Sequence, residues 1–248
     1  KLQLSIVPEL ITIFADDLFN DQDGICERIG NVFKGDSVAV RSSASDEDGT
    51  TSAKAGEYDS VLNVPSDDKL KLSQALRKVY SSYTAKRDIF KSDEIFIQRM
   101  VSNVSMSGVL FTHDLNTGAP YYVVNYDDQS GLTDTVTSGG SEYSNRTIYI
   151  FRDKIEKLKS ERHVSLIRAV REIEELMDSK FLDIEFIVDA FNKVHILQVR
   201  PISTQANWNR GIVSKISAEL VGIEVFLNKK FDAISGISGK STVFGQMP

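Results

Sequence analysis

The chain has 248 residues, 41% of them hydrophobic, which is enough to bury the core of one large domain or of two modest ones. Its net charge of −6 argues against the basic field that a duplex nucleic-acid binder carries. The single cysteine, Cys26, excludes an internal disulfide framework and fits a reducing cytoplasm. No apolar run is long enough to cross a bilayer, so we expect neither nucleic acid nor membrane as a partner.

The N-terminal third alternates short strands with helices. Residues 5–18 predict a short strand, a turn at Pro8, a second strand and an acidic helix start. Apolar residues at helical spacing predict a helix over about 24–33, and residues 37–41 predict a strand that ends at Arg41.

The stretch 42–58 is rich in Ser, Gly, Ala and Thr and has almost no bulky apolar residue. Small residues let backbone N–H groups approach an anion, so the stretch is a candidate phosphate cradle. A mobile linker has the same composition, and the sequence leaves both interpretations open. Its acidic residues 46–48 fit a phosphate cradle only if they face solvent or a metal.

The middle of the chain predicts an antiparallel sheet with two long helices. The first helix covers 67–91, with Ser66 or Asp67 as its N-cap, and the second covers 161–179. Short turns rather than helices separate predicted strands at 95–101, 108–112, 121–126 and 147–151.

Residues 181–204 predict a β-hairpin with its turn at 190–193. Asp183 and Glu185 share one face of its first strand, because side chains repeat every second residue, and Gln198 and Arg200 share a face of its second strand. Two carboxylates, an amide and a guanidinium indicate a platform for a polyanion and a metal. A half-exposed hairpin with a polar outer face has the same pattern.

The pattern is weaker after residue 204. A helix over 213–228 and a Gly/Ser turn at 235–239 are the only elements it indicates. Because the chain starts at Lys1 and its last eight residues form no clear element, we expect a piece of a longer polypeptide.

Six segments occur in the order of a known family. They are VAVRSSASDEDG at 38–49, AGEYDSVLNV at 55–64, IFIQRMV at 95–101, MSGVLFT at 106–112, DIEF at 183–186 and ILQVRP at 196–201. Together they resemble the ATP-grasp nucleotide-binding domain of the phosphoenolpyruvate synthase and pyruvate phosphate dikinase family. Rifampin phosphotransferases and glucan dikinases share this type of domain, so the resemblance indicates the nucleotide chemistry better than the final acceptor.

The resemblance implies an α+β ATP-grasp fold with mostly antiparallel sheet, in which two α/β subdomains clamp a nucleotide. It places this domain at 1–204, with subdomains at about 1–92 and 93–204, and makes 205–248 an extension toward a downstream domain. It implies ATP and Mg²⁺ as cofactors and a phosphoryl transfer to a histidine on another domain of the parent, then to pyruvate or a similar acceptor. The expected partners are therefore a phosphohistidine domain and an acceptor-binding domain.

The resemblance also assigns roles to the hairpin and to the strand before the small-residue loop. Arg41 matches a residue that binds the β- and γ-phosphates, with Ser42 beside it, and Arg200 matches one that neutralises charge on the transferred group. Glu185 and Gln198 match the pair that holds Mg²⁺, and Asp183 is expected to orient a metal-bound water or a basic side chain. Both arginines could instead be ordinary salt-bridge partners.

Further residues match the two ends of the nucleotide. Those at the base are Gln98, Met100 and Val101; those near the phosphates are Gly56 in the lid, Ser107, Gly108 and Thr112. Two of these assignments have a structural alternative: Gln98 could pair with a backbone group, and Thr112 could simply favour a strand. For His113, His163 and His195 we expect structural roles.

The sequence departs from the family in three places. A glycine-rich stretch with a lysine near the N-terminus is missing, His113-Asp114-Leu115 follows the FT strand, and 131–134 reads GLTD where the family has a loop ending in glutamate. A degenerate, non-catalytic nucleotide-binding or interaction module of a larger protein is therefore the alternative function.

Overall fold

The computed structural model of the chain describes residues 2–43, 59–86, 89–130, 146–202, 208 and 211–232. Two β-sheets, one of four strands and one of six, form its framework, and helices cover one face of each. The predicted α+β class with mostly antiparallel strands is confirmed. Most of the small-residue loop, including Gly56, and the GLTD loop lie outside the described residues.

The first sheet comes from the N-terminal part of the chain. Its strands, in spatial order, are β2 (Leu10–Phe14), β5 (Glu94–Arg99), β3 (Ser37–Ser43) and β4 (Ser60–Pro65). Its helices are α1 (Asp17–Asn20), α2 (Gln22–Phe33) and α3 (Lys69–Thr84). Ile95 and Ile97 of β5 are fully buried in the core that these helices cover. Strand alternation therefore turns Gln98 to the opposite face, which we call the open face of the first sheet.

Helix α3 differs from its prediction at both ends. Its N-cap is Asp68, whose carboxylate accepts a hydrogen bond from the N–H of Lys71 at 3.1 Å, and not Ser66 or Asp67. It ends at Thr84 instead of 91. The buried carboxylate of Asp93 accepts from the N–H of Phe90 at 2.7 Å, which turns the chain into β5. Side-chain capping by Asp68 therefore selects the first residue of the helix.

The second sheet contains the predicted hairpin at one side. Its strands, in spatial order, are β1 (Ser5–Ile6), β10 (Val194–Pro201), β9 (Leu182–Asp189), β6 (Val104–Phe111), β7 (Tyr121–Asp127) and β8 (Arg146–Phe151). Only β1, which is parallel to β10, departs from antiparallel pairing. Helix α4 (Glu161–Leu176) packs on one face, preceded by a 3-10 helix (Arg152–Lys157) that the sequence did not indicate.

The chain crosses between the sheets twice, once between β1 and β2 and once between β5 and β6. The second crossing lies between Arg99 and Val104, so the first sheet extends past the limit near 92–93 that the sequence had placed between subdomains. Strand β5 belongs to the first sheet because it lies between β2 and β3 and pairs with both. The outer domain limits, 1–204 and 205–248, stay a prediction.

Two features follow the hairpin. The indole N–H of Trp208 donates to the carbonyl of Leu115 at 2.9 Å, and its ring lies against Gly118, where a Cβ would come within 2.5 Å of it. Helix α5 (Ile212–Asp232) contains the helix predicted over 213–228. Across the described ranges, no helix has both the length and the apolarity that a bilayer crossing needs.

Candidate functional site

The open face of the first sheet meets the face of the second sheet that lies opposite α4, which we call the open face of the second sheet, at an ion pair. Nη1 of Arg41, on β3, lies 3.0 Å from Oε2 of Glu185, on β9, although 144 residues separate them in sequence. The two side chains are only 19% and 17% exposed. Arg41 is opposite Phe96 in its ladder and lies on the same face as Gln98. The structure thus brings together two of the residues that the sequence had assigned to phosphate and to metal.

Glu185 also contacts the hairpin's second strand. Nη2 of Arg200 lies 3.6 Å from Oε1 of Glu185 and donates to Oε1 of Gln198 at 2.6 Å. In the β9–β10 ladder, Gln198 is opposite Glu185 and Arg200 is opposite Asp183. The predicted shared faces are therefore confirmed, and one carboxylate lies between two guanidinium groups.

A β-bulge places these side chains on the open face. Ile196 is opposite Phe186, but Gln198 is opposite Glu185, so Leu197 is an extra residue in β10. Without it, alternation would turn Gln198 and Arg200 toward the core beneath the sheet. With it, Val199 packs against that core instead. A one-residue irregularity thus decides which face receives the polar groups.

Asp183 lies next to this cluster in a half-buried position. Burial raises the pKa of the Asp183 carboxyl to about 6; the charge of Arg200 opposes this shift and that of Glu185 adds to it. Its Oδ1 is buried and makes no hydrogen bond within the described part of the chain, and the same holds for Nε of Arg41. Native proteins rarely leave buried polar atoms unpartnered, so these two atoms are available to a ligand.

The residues predicted at the base of a nucleotide lie at the second crossing. Gln98 is 4% exposed, and its Nε2 donates to the carbonyl of Leu197 in a long hydrogen bond of 3.5 Å. Half-buried Met100 and Val101 line a groove of about 320 Å³ between the two crossings and the β9–β10 turn. His195 and Phe191 line it from the turn side. The groove has room for a planar base, while Gln98 has the backbone partner that the sequence had left as its alternative.

The residues predicted near the phosphates are placed differently from one another. Ser42 is half-buried on β3 directly after Arg41, whereas Ser107 is 1% exposed within β6. Gly108 packs so closely on β7 that a Cβ would lie 2.0 Å from the carbonyl oxygen of Asn125. These positions fix the sheet beneath the cluster.

Thr112 is not brought to the cluster. It is fully buried, its hydroxyl donates to the carbonyl of Lys180 at 2.7 Å, and it accepts from the N–H of Leu182 at 2.7 Å. Both hydrogen bonds tie the end of β6 to the start of β9. The structure therefore gives Thr112 a role in the fold, because its hydroxyl already has two partners.

The three histidines also have partners within the fold. His113 lies between Phe181 and Trp208, and burial lowers its pKa to about 4, with the charge of Arg152 acting in the same direction. Nε2 of His195 lies 3.1 Å from the Asp189 carboxylate, which accepts from N–H groups of the hairpin turn. Nδ1 of His163 lies 2.8 Å from Oγ of Ser160. All three contacts agree with the structural roles that the sequence predicted.

Two residues that matter for the site had no role in the sequence prediction. Leu197 forms the bulge, and only the ladder register reveals it. The hydroxyl of Tyr83, fully buried on α3, accepts from the N–H of Ser43 and donates to the carbonyl of Glu94, both at 2.7 Å. It fixes the end of β3 just after Arg41. A tyrosine on the apolar side of a helix could have indicated this, because a buried phenol needs a partner.

Comparison with known proteins points to one family. Residues 12–155 match the family described as pyruvate phosphate dikinase, AMP/ATP-binding domain. The chain is 30% identical over 223 residues to the prodigiosin synthesizing transferase PigC of Serratia marcescens, a match that covers 73% of this chain and 24% of that protein. It is 28% identical over 230 residues to a phosphoenolpyruvate synthase of Neisseria meningitidis serogroup B, covering 71% and 29%. The chain thus spans about a quarter of the length of these curated relatives.

Solved structures give a more distant likeness. A D-alanyl-alanine synthetase A from Vibrio cholerae matches with a TM-score of 0.44 and 10% identity, covering 82% of this chain and 53% of the other. At a TM-score below 0.5, this likeness decides neither fold nor function.

Proposed function

The chain belongs to the pyruvate phosphate dikinase AMP/ATP-binding domain family, and we propose that it is the MgATP-binding part of a cytoplasmic, phosphoenolpyruvate synthase-like phosphotransferase. Family membership, with the two facing sheets, confirms the α+β ATP-grasp fold that the sequence predicted. ATP binding is the property of the family. The phosphoryl transfer, its acceptor and the residue roles below form the proposal, in which residues 1–204 are the ATP-binding unit and 205–248 lead toward a further domain.

The observation that carries the proposal is the position of Glu185 between Arg41 and Arg200, with Gln198 beside it. Four polar side chains from both sheets converge at a point that lies mostly out of water. Their chemistry matches a metal-bound polyphosphate: two guanidinium groups for phosphate oxygens, and a carboxylate and an amide oxygen for a hard cation.

Arg41 and Arg200 bind the phosphates in this proposal. Each guanidinium is planar, stays charged and can donate two parallel hydrogen bonds to phosphate oxygens. Arg41 exchanges Glu185 for the β- and γ-phosphates, and its unpartnered Nε has a free donor for that purpose. Arg200 neutralises negative charge on the transferred group, which lowers the barrier because the charge develops in the transition state. Ser42 adds a hydroxyl beside Arg41, and Gly56 belongs to the lid.

Glu185 and Gln198 fit a Mg²⁺ site. They are adjacent across two antiparallel strands and present hard oxygen atoms on one face. A Mg²⁺ ion held by these two residues would supply positive charge that neutralises phosphate charge. Asp183, with its unpartnered buried Oδ1, would accept a hydrogen bond from a metal-bound water or hold Arg200 in place.

The base of the nucleotide fits the groove beside Met100 and Val101. Both residues follow Gln98 at the crossing between the sheets, so a base in the groove would lie on the same open side as Arg41. Ser107 and Gly108 support the strand beneath the phosphates.

The proposal also includes an acceptor for the phosphoryl group. We infer that the phosphoryl group passes to a histidine on another domain of the parent protein and then to pyruvate or a similar acceptor. The two relatives are named for different reactions, a phosphoenolpyruvate synthase and a prodigiosin synthesizing transferase. Both names are compatible with one ATP-binding unit that serves different acceptors.

The competing proposal is a degenerate module that binds nucleotide or a partner without catalysis. The GLTD sequence at 131–134 favours it. The convergence of Arg41, Glu185, Gln198 and Arg200 favours the enzyme, because a non-catalytic module has no need to keep a metal pair between two phosphate-binding arginines.

Calorimetric titration of ATP with and without Mg²⁺ tests the proposal. We expect Mg²⁺ to strengthen ATP binding, and Glu185→Ala to remove that gain on the order of tenfold to a hundredfold. The matched control is Glu27→Ala, since Glu27 is an exposed carboxylate on α2. Binding that is identical with and without Mg²⁺, in wild type and in Glu185→Ala alike, would support the degenerate module. No ATP binding in any condition would contradict both versions of the nucleotide site.

A further inference from the structure

Besides the Arg41–Glu185 pair, a side-chain hydrogen bond between described residues joins the two sheets next to the cluster. Gln98, on β5, reaches the carbonyl of Leu197, on β10, at 3.5 Å. Gln98 is opposite Ala39 in the β3–β5 ladder, two residues along β3 from Arg41. The residue it contacts is the extra residue of the bulge.

The bulge is a point where the hairpin could adopt another register. Its extra residue interrupts the ladder, so the flanking strand hydrogen bonds do less to hold it in place. A slip that absorbed Leu197 into the ladder would put it opposite Glu185 and turn Gln198 into the core. A contact from outside the hairpin that holds the Leu197 carbonyl therefore stabilises the register that the site requires.

Gln98 is suited to this task. Gln98 is only 4% exposed, and a buried amide must be hydrogen-bonded to avoid a desolvation penalty. Its strand is the central one of the first sheet's β2-β5-β3 segment, paired on both sides, so its backbone is held rigidly. A rigid donor opposite an irregular acceptor can impose its position on that acceptor.

We propose that Gln98 is a positioning residue: its amide holds the carbonyl of Leu197, and through the bulge it fixes Gln198 and Arg200 beside Glu185. The inference rests on the proposed function, in that those three residues are taken as the metal and phosphate groups. The inference adds that a residue of the first sheet determines the geometry of the metal and phosphate residues on the second sheet.

This role has consequences that differ from those of direct base contact, which is the role the family resemblance implies for Gln98. A residue that touches the base contributes equally to ATP binding with and without Mg²⁺. A residue that positions Gln198 and Arg200 contributes to ATP binding mainly when Mg²⁺ is present. Only then do Glu185 and Gln198 hold a metal ion together.

The test is titration of ATP, with and without Mg²⁺, into Gln98→Leu and Gln98→Glu. Leucine keeps the volume, and glutamate keeps the shape but replaces the amide donor with an acceptor. We expect binding to weaken about five- to tenfold with Mg²⁺, the loss of one hydrogen bond, and to weaken less without it, because only the phosphate contact of Arg200 is then affected. Gln74→Leu, at an exposed glutamine on α3, is the control. Equal weakening in both conditions, or no weakening, would overturn the proposal.

Amide hydrogen exchange of the ligand-free chain keeps the two proposals separate. Gln98→Leu should exchange faster by about five- to tenfold in the peptide that covers 194–200, and the peptide that covers 182–189 should change less. Unchanged exchange in 194–200, in a variant that unfolds at the wild-type denaturant concentration, would refute the positioning role. This measurement decides the inference even if the wild type binds no ATP.

Discussion

The Arg41–Glu185 ion pair should couple the stabilities of the two sheets in the ligand-free chain. Its charged groups are 3.0 Å apart and more than four-fifths buried. Two unit charges about 4 Å apart attract by about 4 kcal/mol at the effective dielectric constant near a protein surface, and desolvation offsets a large share. Glu185 also keeps Arg200 as a second partner at 3.6 Å. We therefore expect a coupling energy of about 1–2 kcal/mol.

A double-mutant cycle measures this coupling. The variants are Arg41→Ala, Glu185→Ala and the double variant, each unfolded in urea at pH 7 and followed by the fluorescence of Trp208, the single tryptophan of the chain. Glu185→Ala should be the more destabilising single change, because it leaves two guanidinium groups near each other without the carboxylate between them. A coupling energy below about 0.3 kcal/mol, the limit of additivity, would refute the reasoning.

A control cycle and a ligand sharpen the interpretation. The exposed pair Lys157–Glu224 has side chains that are 61% and 65% exposed, and its cycle should give a coupling near zero. Under the proposed function, saturating MgATP gives Arg41 and Glu185 new partners, phosphate and metal, in place of each other. The coupling energy should then fall below its ligand-free value, and a coupling that persists unchanged would mean that the pair does not open for the nucleotide.

Three further changes test the fold around the site. Thr112→Val should destabilise the chain by about 1–3 kcal/mol in urea unfolding, because it removes a hydroxyl with two buried partners, while MgATP affinity stays within about twofold. Gly108→Ala should destabilise by at least about 1–3 kcal/mol, since its Cβ would lie 2.0 Å from a backbone oxygen of Asn125. The pKa of His113, about 4 in the folded chain, is below its ordinary value near 6.5, so acidification from pH 7 to 5 should cost about 2 kcal/mol of stability at this group.

Two of these effects have a specific check. The pH effect is measured as the difference between wild type and His113→Phe, because the raised pKa of Asp183 changes stability in the opposite direction over the same window. Equal pH dependence in the two proteins would contradict the assignment. For Thr112→Val, a loss of MgATP binding free energy far larger than the loss of unfolding free energy would contradict the role in the fold. It would support the phosphate contact that the family resemblance implied.

The sequence predicted most of the elements because its apolar periodicity is strong. Strands β2, β3 and β5 to β10 and helices α2 to α5 occur where the pattern indicated them; most of their ends differ by up to four residues, and the end of α3 differs by seven. The error at the N-terminal end of α3 has a local cause. Ser66, Asp67 and Asp68 are all plausible caps by composition, and only the geometry of the turn selects Asp68.

The candidate site was predictable in part. Arg41, Glu185, Gln198 and Arg200 were identified by motif and by alternation, and they converge. The convergence itself was not predictable, because Arg41 and Glu185 belong to different sheets and their separation depends on how those sheets pack. Thr112 shows the opposite case: it has the right motif, but the structure gives its hydroxyl two backbone partners.

The sequence by itself determined the residue types at the site and the face that Asp183 and Glu185 share, because side-chain alternation in a strand is a local property. Only the tertiary structure decided that Gln198 and Arg200 join them. That outcome depends on the bulge at Leu197, and a bulge arises where ladder pairing, core packing of Val199 and a contact from Gln98 on the other sheet all agree. Such agreement among distant parts of the chain is absent from any local pattern.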